Sequence, residues 1–297
     1  MLLALWFACS APLPAAETGG DAPTDSGRSA ESTGPCRAYA AAEAVAQVSD
    51  PALDELSGLA VSRQNPGILW THEDSGGAPE LYALDATGAT VATVQVVGAD
   101  NVDWEDLAIG PCDAGWCLAV GDIGTLGTDR ASFAILRLIE PVLDGSPTYA
   151  VEAEVLPYTW PDVAEDAESL ALFPDGTPLV VSKRADATAG LYRLPAGATV
   201  LERLADVQTG APGEDLTARA TAADLSTDGA VLLLRTYLHL YEFDVTDPTT
   251  PGPAVERAFG LELQGEAVAY DPLQGGFWQV SEGVGPTLHY TGCTGDP

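Results

Sequence analysis

The sequence predicts an all-β fold, a single β-propeller of five four-stranded blades. A short pattern occurs five times along the chain, beginning at Ser57, Glu105, Glu168, Thr221 and Glu266 and reading SGLAVS, EDLAIG, ESLALF, TAADLS and EAVAYD. Successive copies lie 45 to 63 residues apart, a spacing typical of propeller blades. No long stretch has apolar residues at helical spacing, which argues against a helical repeat.

Each copy of the pattern begins a set of three predicted strands. The second apolar runs are ILWTHED, LAVGDIG, LVVSKR, LLLRTY and FWQVSEG, and short turns such as Asn65-Pro66-Gly67 and Pro174-Asp175-Gly176 separate them from the first. The third runs are LYALD, ILRLI, LYRLP, LYEFD and LHYTG. These short, β-branched or aromatic runs are typical of strands.

The fourth strand of each repeat is more polar, as expected at an exposed sheet edge. TVATVQV, YAVEAEVL, TVLERLADV and AVERAFGLEL provide it for the first four repeats. The fifth repeat has no such segment, but AAEAVAQV precedes the first repeat, so we predict that this N-terminal strand completes the last blade. Six blades are the alternative, and they would need an extra hairpin within the long second repeat.

Composition limits the partners of this protein. The 297 residues contain 44 acidic and 12 basic side chains, a net charge of −32, so nucleic acid and anionic lipid surfaces are excluded as partners by repulsion. A metal ion or another cationic ligand fits better, although solubility alone also explains such a charge. We expect one propeller domain, residues 36–297, that is a monomer.

The N-terminus resembles a bacterial lipoprotein signal. Residues 1–9 form a short apolar segment that ends at Cys9, the predicted lipidated residue, and residues 10–35 are a polar tether. The segment lacks a preceding Lys or Arg and contains Trp6, so a plain secretory signal is the alternative. Either signal predicts an exported protein, in the bacterial cell envelope or outside the cell, with membrane contact only through a lipid anchor.

The remaining four cysteines predict two disulfides, as expected in an exported protein. Cys112 and Cys117 flank the turn of one hairpin. Cys36 precedes the strand that would close the ring, and Cys293 follows the last strand, so this pair would lock the closure. A thiolate metal site is the less favoured alternative, because no second CxxC accompanies these residues.

One face of the propeller is predicted to be acidic. The beginnings of the five first strands and the ends of the second strands meet at one end of the central channel, which places Ser57, Glu105, Glu168, Thr221 and Glu266 in an inner ring. Oxygen-rich sites of this kind suit calcium. The candidate ligands are Asp74, Asp103, Glu105, Asp106, Asp122, Glu168, Glu266 and Glu282. The alternative is that each glutamate hydrogen-bonds the neighbouring blade and only fastens the ring.

Four basic residues on the same face are candidates for a catalytic role. Lys183, the single lysine of the chain, could contact an anionic group together with Arg184 and Arg235, or it could pair with Glu168. His72 is the candidate base, and a buried structural histidine is the alternative. His239 and His289 fall in third strands and are expected to be structural.

The motifs also support a resemblance to known proteins. WTHEDSG, GADNVDWEDLA, GDIG, Glu140-Pro141, DAESL, VSK, LRTY, QGEA and SEG resemble, over the whole predicted propeller, a group of secreted bacterial propeller proteins. Phytase-like and NHL-type propellers are more distantly similar. The resemblance implies a polar, calcium-occupied face and gives no substrate. Glu73 stands where the group has Asn, and Thr125-Leu126 stand where it has Asp-Asn, which would weaken or alter metal binding here.

Three functions follow from these observations. The first is an exported, lipid-anchored propeller that binds calcium and a small or macromolecular ligand on its acidic face. The second is a calcium-assisted hydrolase, such as a phosphoesterase, in which Lys183, Arg184 and Arg235 hold the anion. The third is a non-catalytic scaffold for protein interactions.

Overall fold

Five β-sheets form the blades of a propeller. The computed structural model describes residues 35–294 apart from 126–129, 131, 212, 214–216 and 263, and this part of the chain contains strands and turns but no helix. Three predictions concern residues outside this part of the chain: the signal in residues 1–9, the lipidation of Cys9 and the tether in residues 10–35, of which only Pro35 is described. No helix suited to crossing a membrane occurs among the residues that the structure describes.

The strands follow one another from the channel outwards in each blade. The first blade contains β2 (Leu56–Val61), β3 (Leu69–Glu73), β4 (Glu80–Leu84) and β5 (Thr90–Val97), and the second contains β6 (Trp104–Cys112), β7 (Gly115–Asp122), β8 (Phe133–Ile139) and β10 (Glu154–Tyr158). The third comprises β11 (Ala167–Leu172), β12 (Pro178–Ser182), β13 (Thr188–Arg193) and β14 (Glu202–Gln208). The fourth comprises β15 (Ala220–Leu225), β16 (Val231–Thr236), β17 (Leu240–Asp244) and β18 (Val255–Glu256).

The fifth blade closes the ring as the sequence predicts. It contains β19 (Gly265–Tyr270), β20 (Phe277–Ser281) and β21 (Thr287–Thr291), and the N-terminal β1 (Glu43–Gln47) pairs antiparallel with β21. The innermost strands β2, β6, β11, β15 and β19 each contact the next, and β19 contacts β2. The prediction of five blades with an N-terminal closing strand is therefore confirmed.

Both predicted disulfides are present. Cys36 and Cys293 are bonded, with Cα atoms 5.4 Å apart, beside the closing strand. Cys112 and Cys117 are bonded across the hairpin between β6 and β7. The Cys36–Cys293 bond closes a loop that spans most of the chain, and in the chain-entropy model such a cross-link stabilises the fold by about 5 kcal/mol.

Two of the predicted edge strands differ from the structure. YAVEAEVL is divided: β9 (Thr148–Glu152) joins the first blade, parallel to β5, and only β10 completes the second. The reason is that Tyr149, Val151 and Ala153 pack against the core between these blades. AVERAFGLEL provides only the two residues of β18, because Gly260 exchanges hydrogen bonds of 3.0 and 2.8 Å with the side chain of Gln279 in the fifth blade.

The hydrophobic core lies between neighbouring blades. Alternate side chains of each sheet face the sheet on either side, as in any stack of packed sheets. Between the first and second blades, for example, the fully buried Trp70 and Trp104 pack with Leu107 and Val120. This rigid packing fixes the inner strands around the channel.

Candidate functional site

A β-bulge occurs near the beginning of all five inner strands. The pairing with the second strand skips one residue in each blade, and the skipped residues are Gly58, Glu105, Glu168, Thr221 and Glu266. A bulge turns its residue away from the regular pleat. The ring predicted from the sequence is therefore corrected in the first blade, where Gly58, at φ 67°, takes the bulge position in place of Ser57.

The two hydroxyl members of the predicted ring fasten neighbouring blades. The Ser57 hydroxyl donates a hydrogen bond to the backbone carbonyl of Glu105, and the Thr221 hydroxyl donates to the carbonyl of Gly265 at 2.6 Å. Each bond joins one inner strand to the next around the ring. The fastening role considered for the glutamates thus belongs to Ser57 and Thr221.

Three of the predicted ligands form an acidic cluster, which consists of Asp74, Asp103 and Glu105. One oxygen from each carboxylate lies within 4.8 Å of the others. Asp74 follows β3, whereas Asp103 directly precedes β6 and Glu105 is its second residue, so the cluster joins the first two blades. The side-chain amide of Asn101 donates to the carbonyl of Glu73 at 3.2 Å and connects the two segments.

Burial and mutual repulsion disfavour the charged forms of the carboxylates in the acidic cluster. Burial, with the charges of Asp103 and Glu282, raises the pKa of Asp74 to about 7. Burial also raises the pKa of Glu105 well above its usual range, and Glu168, Asp74 and Asp103 add to the rise. In addition, Asp74 Oδ1 is buried without a hydrogen-bond partner among the described residues. A bound cation would remove this repulsion.

Gly124, the last residue of the GDIG motif, leaves space for these carboxylates. A Cβ atom at this position would lie 1.9 Å from Glu105 Oε1 and 2.3 Å from Asp103 Oδ2. Any other residue would therefore push the cluster apart. Thr125, which follows, hydrogen-bonds the carboxylate of Asp166 in the third blade at 2.8 Å, and Leu126 lies outside the described residues.

The third blade carries a cation of its own at the same end of the channel, the channel mouth. Lys183 forms an ion pair with Glu168, donates a hydrogen bond of 2.9 Å to the Tyr237 hydroxyl and lies 5.0 Å from the centre of that ring. Burial nevertheless raises the pKa of Glu168 to about 7, and Lys183 only partly opposes the rise. Burial and the charge of Glu168 raise the pKa of Glu266 well above its usual range.

The other predicted ligands have partners of their own. Asp106 is fully buried and accepts hydrogen bonds from the backbone N–H groups of Leu107, Leu170 and Ala223 at 2.8 to 3.0 Å. Asp122 pairs with Arg130 at 2.6 Å and accepts a hydrogen bond from the Asp103 N–H. Glu282 accepts one of 2.9 Å from Gln264. Asp106 therefore holds blades together across the channel.

The structure does not assemble the predicted anion clamp. Arg184 pairs with Glu165 and with Asp206, at 2.8 Å from the latter. Arg235 is buried, pairs with Glu262 and donates to the carbonyl of Ala267 at 3.2 Å. Of the three cations, Lys183 lies at the channel mouth.

His72 is a buried, neutral histidine. Its Nδ1 donates a hydrogen bond of 2.9 Å to the carbonyl of Glu73, and burial lowers its pKa to about 4. Its Nε2 lies so close to Gly58 that a Cβ there would be 2.7 Å away. This environment fits the structural alternative, because the ring has no open path to a substrate.

Sequence reasoning missed three contributors to the site. Gly124 and Tyr237 lie in the quoted GDIG and LRTY motifs but were not considered as site residues. The third is Glu73, whose pKa burial raises to about 7 and whose buried Oε1 atom lacks a partner among the described residues. Their position in motifs beside the acidic ring was the available signal.

Comparisons with known proteins support the fold. No family model matches the sequence, and no curated protein is significantly similar to it. Among solved structures, the PQQ-bound aldose sugar dehydrogenase of Streptomyces coelicolor is similar, with a TM-score of 0.51, 12% identity and coverage of 87% of this chain and 99% of that one. Glutaminyl cyclase of Myxococcus xanthus has a TM-score of 0.52, 14% identity and coverage of 87% and 97%. At these identities the similarity concerns the fold alone.

Proposed function

We propose that this protein is an exported, lipid-anchored propeller that binds one calcium ion in the acidic cluster and a further ligand on the same face. The observation that carries the proposal is the convergence of Asp74, Asp103 and Glu105, with oxygen atoms within 4.8 Å of one another and raised pKa values for Asp74 and Glu105. A folded protein keeps such a repulsive arrangement when a cation compensates for it.

The chemistry of the donors favours calcium over zinc or magnesium. All three side chains are carboxylates, the hard oxygen ligands that calcium prefers, whereas zinc sites in proteins use mainly Cys and His. Magnesium is usually held by one or two carboxylates together with several waters, so three converging carboxylates suit it less. Calcium takes six to eight oxygens, and three carboxylates leave positions for water or for an oxygen of the ligand.

Export is supported by the two disulfides, because such bonds persist in oxidising compartments. The proposed anchor is lipid on Cys9, followed by the tether. We also propose that the chain belongs with the secreted bacterial propellers whose WTHEDSG-, GDIG- and QGEA-like motifs it contains. The GDIG motif has a physical explanation, because its last residue, Gly124, leaves room for the carboxylates of the acidic cluster.

The hydrolase alternative has less support than the binding function. A phosphoesterase needs cations that neutralise the transferred group, and Arg184 and Arg235 are engaged with Glu165 and Glu262. A purely structural scaffold would account for Asp106, which is satisfied by backbone donors, but it leaves the strained acidic cluster without a reason. The cation-binding function explains the acidic cluster, and Asp106 fastens the blades under either function.

Calorimetric titration of the EDTA-treated protein with calcium tests the proposal. We expect one ion per chain, and at a concentration of 100 times Kd the ion should stabilise the fold by about 2.7 kcal/mol. Asp74→Asn should abolish this gain. Asp113→Asn, an exposed change of equal charge, should keep it. An Asp74→Asn variant that binds calcium as the wild type does would overturn the proposal.

A second pair of variants tests the space that the ion needs. Gly124→Ala places a methyl group against Glu105 and Asp103 and should weaken calcium binding at least tenfold, about 1.4 kcal/mol. Gly77→Ala is the control, because a Cβ there makes only ordinary contacts of 3.7 Å with Asn101 and Glu73. Equal affinities in the two variants would contradict the assignment of the cluster.

A further inference from the structure

Lys183 occupies an unusual position for the single lysine of the chain. Its side chain is 9% exposed, and its ammonium group is held by Glu168 and by the hydroxyl and ring face of Tyr237. An ammonium group is a compact monovalent cation. Here the chain itself supplies the cation that pairs with a carboxylate, whereas the acidic cluster is proposed to bind its cation from solution.

The surroundings of Lys183 are rich in carboxylate oxygens. Glu168 uses Oε1 for the ion pair, and its Oε2 is buried without a hydrogen-bond partner among the described residues. The charge of Lys183 also acts on Glu105 and Glu266, the bulge residues of the second and fifth blades. Without the ammonium, Glu168 would therefore be a largely buried carboxylate with no cation paired to it.

We propose that Lys183 limits the channel mouth to a single divalent cation, because its ammonium group, paired with Glu168 and hydrogen-bonded to Tyr237, occupies a second cation position. This inference rests on the proposed calcium site in the acidic cluster. It makes Lys183 a determinant of metal stoichiometry and not a group that contacts an anionic substrate. Repulsion between the ammonium and a divalent ion nearby also sets the affinity of the first site.

Calorimetric titration with calcium chloride tests the inference. The wild type should bind one ion, and Lys183→Met should bind two, with the first bound about tenfold more tightly because a positive charge has gone. Lys183→Arg keeps the charge and should bind one. The double variant Lys183→Met/Glu168→Gln should return to one, because it removes a ligand of the second position.

The outcomes separate this inference from the proposed function. A wild type that binds one ion together with a folded Lys183→Met variant that also binds one overturns the role of Lys183 alone. A Lys183→Arg variant that binds two ions overturns it as well. A wild type that binds no calcium overturns both proposals. Circular dichroism verifies folding, and if Lys183→Met does not fold, Lys183→Gln, which can still hydrogen-bond Glu168 and Tyr237, takes its place with the same expected stoichiometry.

Discussion

Glu105 and Asp106 are neighbours in the chain, yet they belong to two different regions of the channel. Glu105 lies at the mouth, in the acidic cluster, and burial and three other carboxylates raise its pKa. Asp106 lies deeper, in what we call the throat, and its carboxylate accepts three backbone hydrogen bonds from the second, third and fourth blades. Both side chains are at least nine-tenths buried.

The difference shows that burial alone does not identify a functional carboxylate. In the throat, burial raises the pKa of Asp106 well above its usual range and the three N–H groups only partly oppose the rise, but each of these hydrogen bonds ties the carboxylate to a blade. At the mouth, the carboxylates face one another, and a proton or a bound cation would relieve their repulsion. Three predictions test this contrast between the mouth and the throat.

The largest effect is expected for Asp106→Ala in the throat. This change leaves three buried N–H groups without an acceptor and should lower the free energy of unfolding by about 4 kcal/mol. Urea denaturation measures the loss, and the exposed Asp113→Ala should change stability by less than about 0.5 kcal/mol. A loss below about 1 kcal/mol would mean that Asp106 does not hold the blades together.

The opposite sign is expected for Glu105→Gln at the mouth. The folded-state pKa of Glu105 is raised, so its charge destabilises the metal-free fold at neutral pH, and the neutral amide should stabilise that form by about 1 to 2 kcal/mol. The same variant should lose the stabilisation by calcium. Thermal unfolding with EDTA and with calcium measures both, and the exposed Glu152→Gln is the matched control. Destabilisation of the metal-free form would contradict the contrast between mouth and throat.

The sequence predicted the fold well because its signal is local and repeated. The five patterns gave the inner strands, and the unclaimed segment before the first repeat gave the closing strand β1, which pairs with β21. Cysteine positions gave both disulfides. The division of YAVEAEVL between two blades was not predictable, because it depends on packing against residues of a blade about fifty positions earlier in the chain.

The site was predicted only in outline, because its chemistry depends on single-residue offsets. The bulge at Glu105 turns that side chain towards the mouth while Asp106 turns to the throat, and both read alike as acidic residues of one motif. The carboxylate partners of Arg184 and Arg235 could not be predicted from the sequence either. Each arginine contacts a carboxylate 19 or 27 residues away in the chain, and neither carboxylate belongs to a strand of the structure.

The smallest effect is expected in the pH dependence of the metal-free protein. Burial raises the pKa of Asp74 from 3.8 to about 7, so between these values the folded state holds a proton that the unfolded state has lost. Stability should therefore fall as pH rises from 5 to 7.5, and Asp74, which is partly exposed to solvent, should account for about 1 kcal/mol of the fall.

Urea denaturation in EDTA at pH 5 and pH 7.5 measures this dependence, and comparison of the wild type with Asp74→Asn isolates the share of Asp74. Glu168, whose pKa is also raised to about 7, keeps its own share in both proteins. Calcium should abolish the share of Asp74 in the wild type, because the bound ion favours the charged carboxylate at both pH values. If the pH dependence were identical in the wild type and Asp74→Asn, the charge of Asp74 would not destabilise the fold at the mouth. The distinction between mouth and throat would then be wrong.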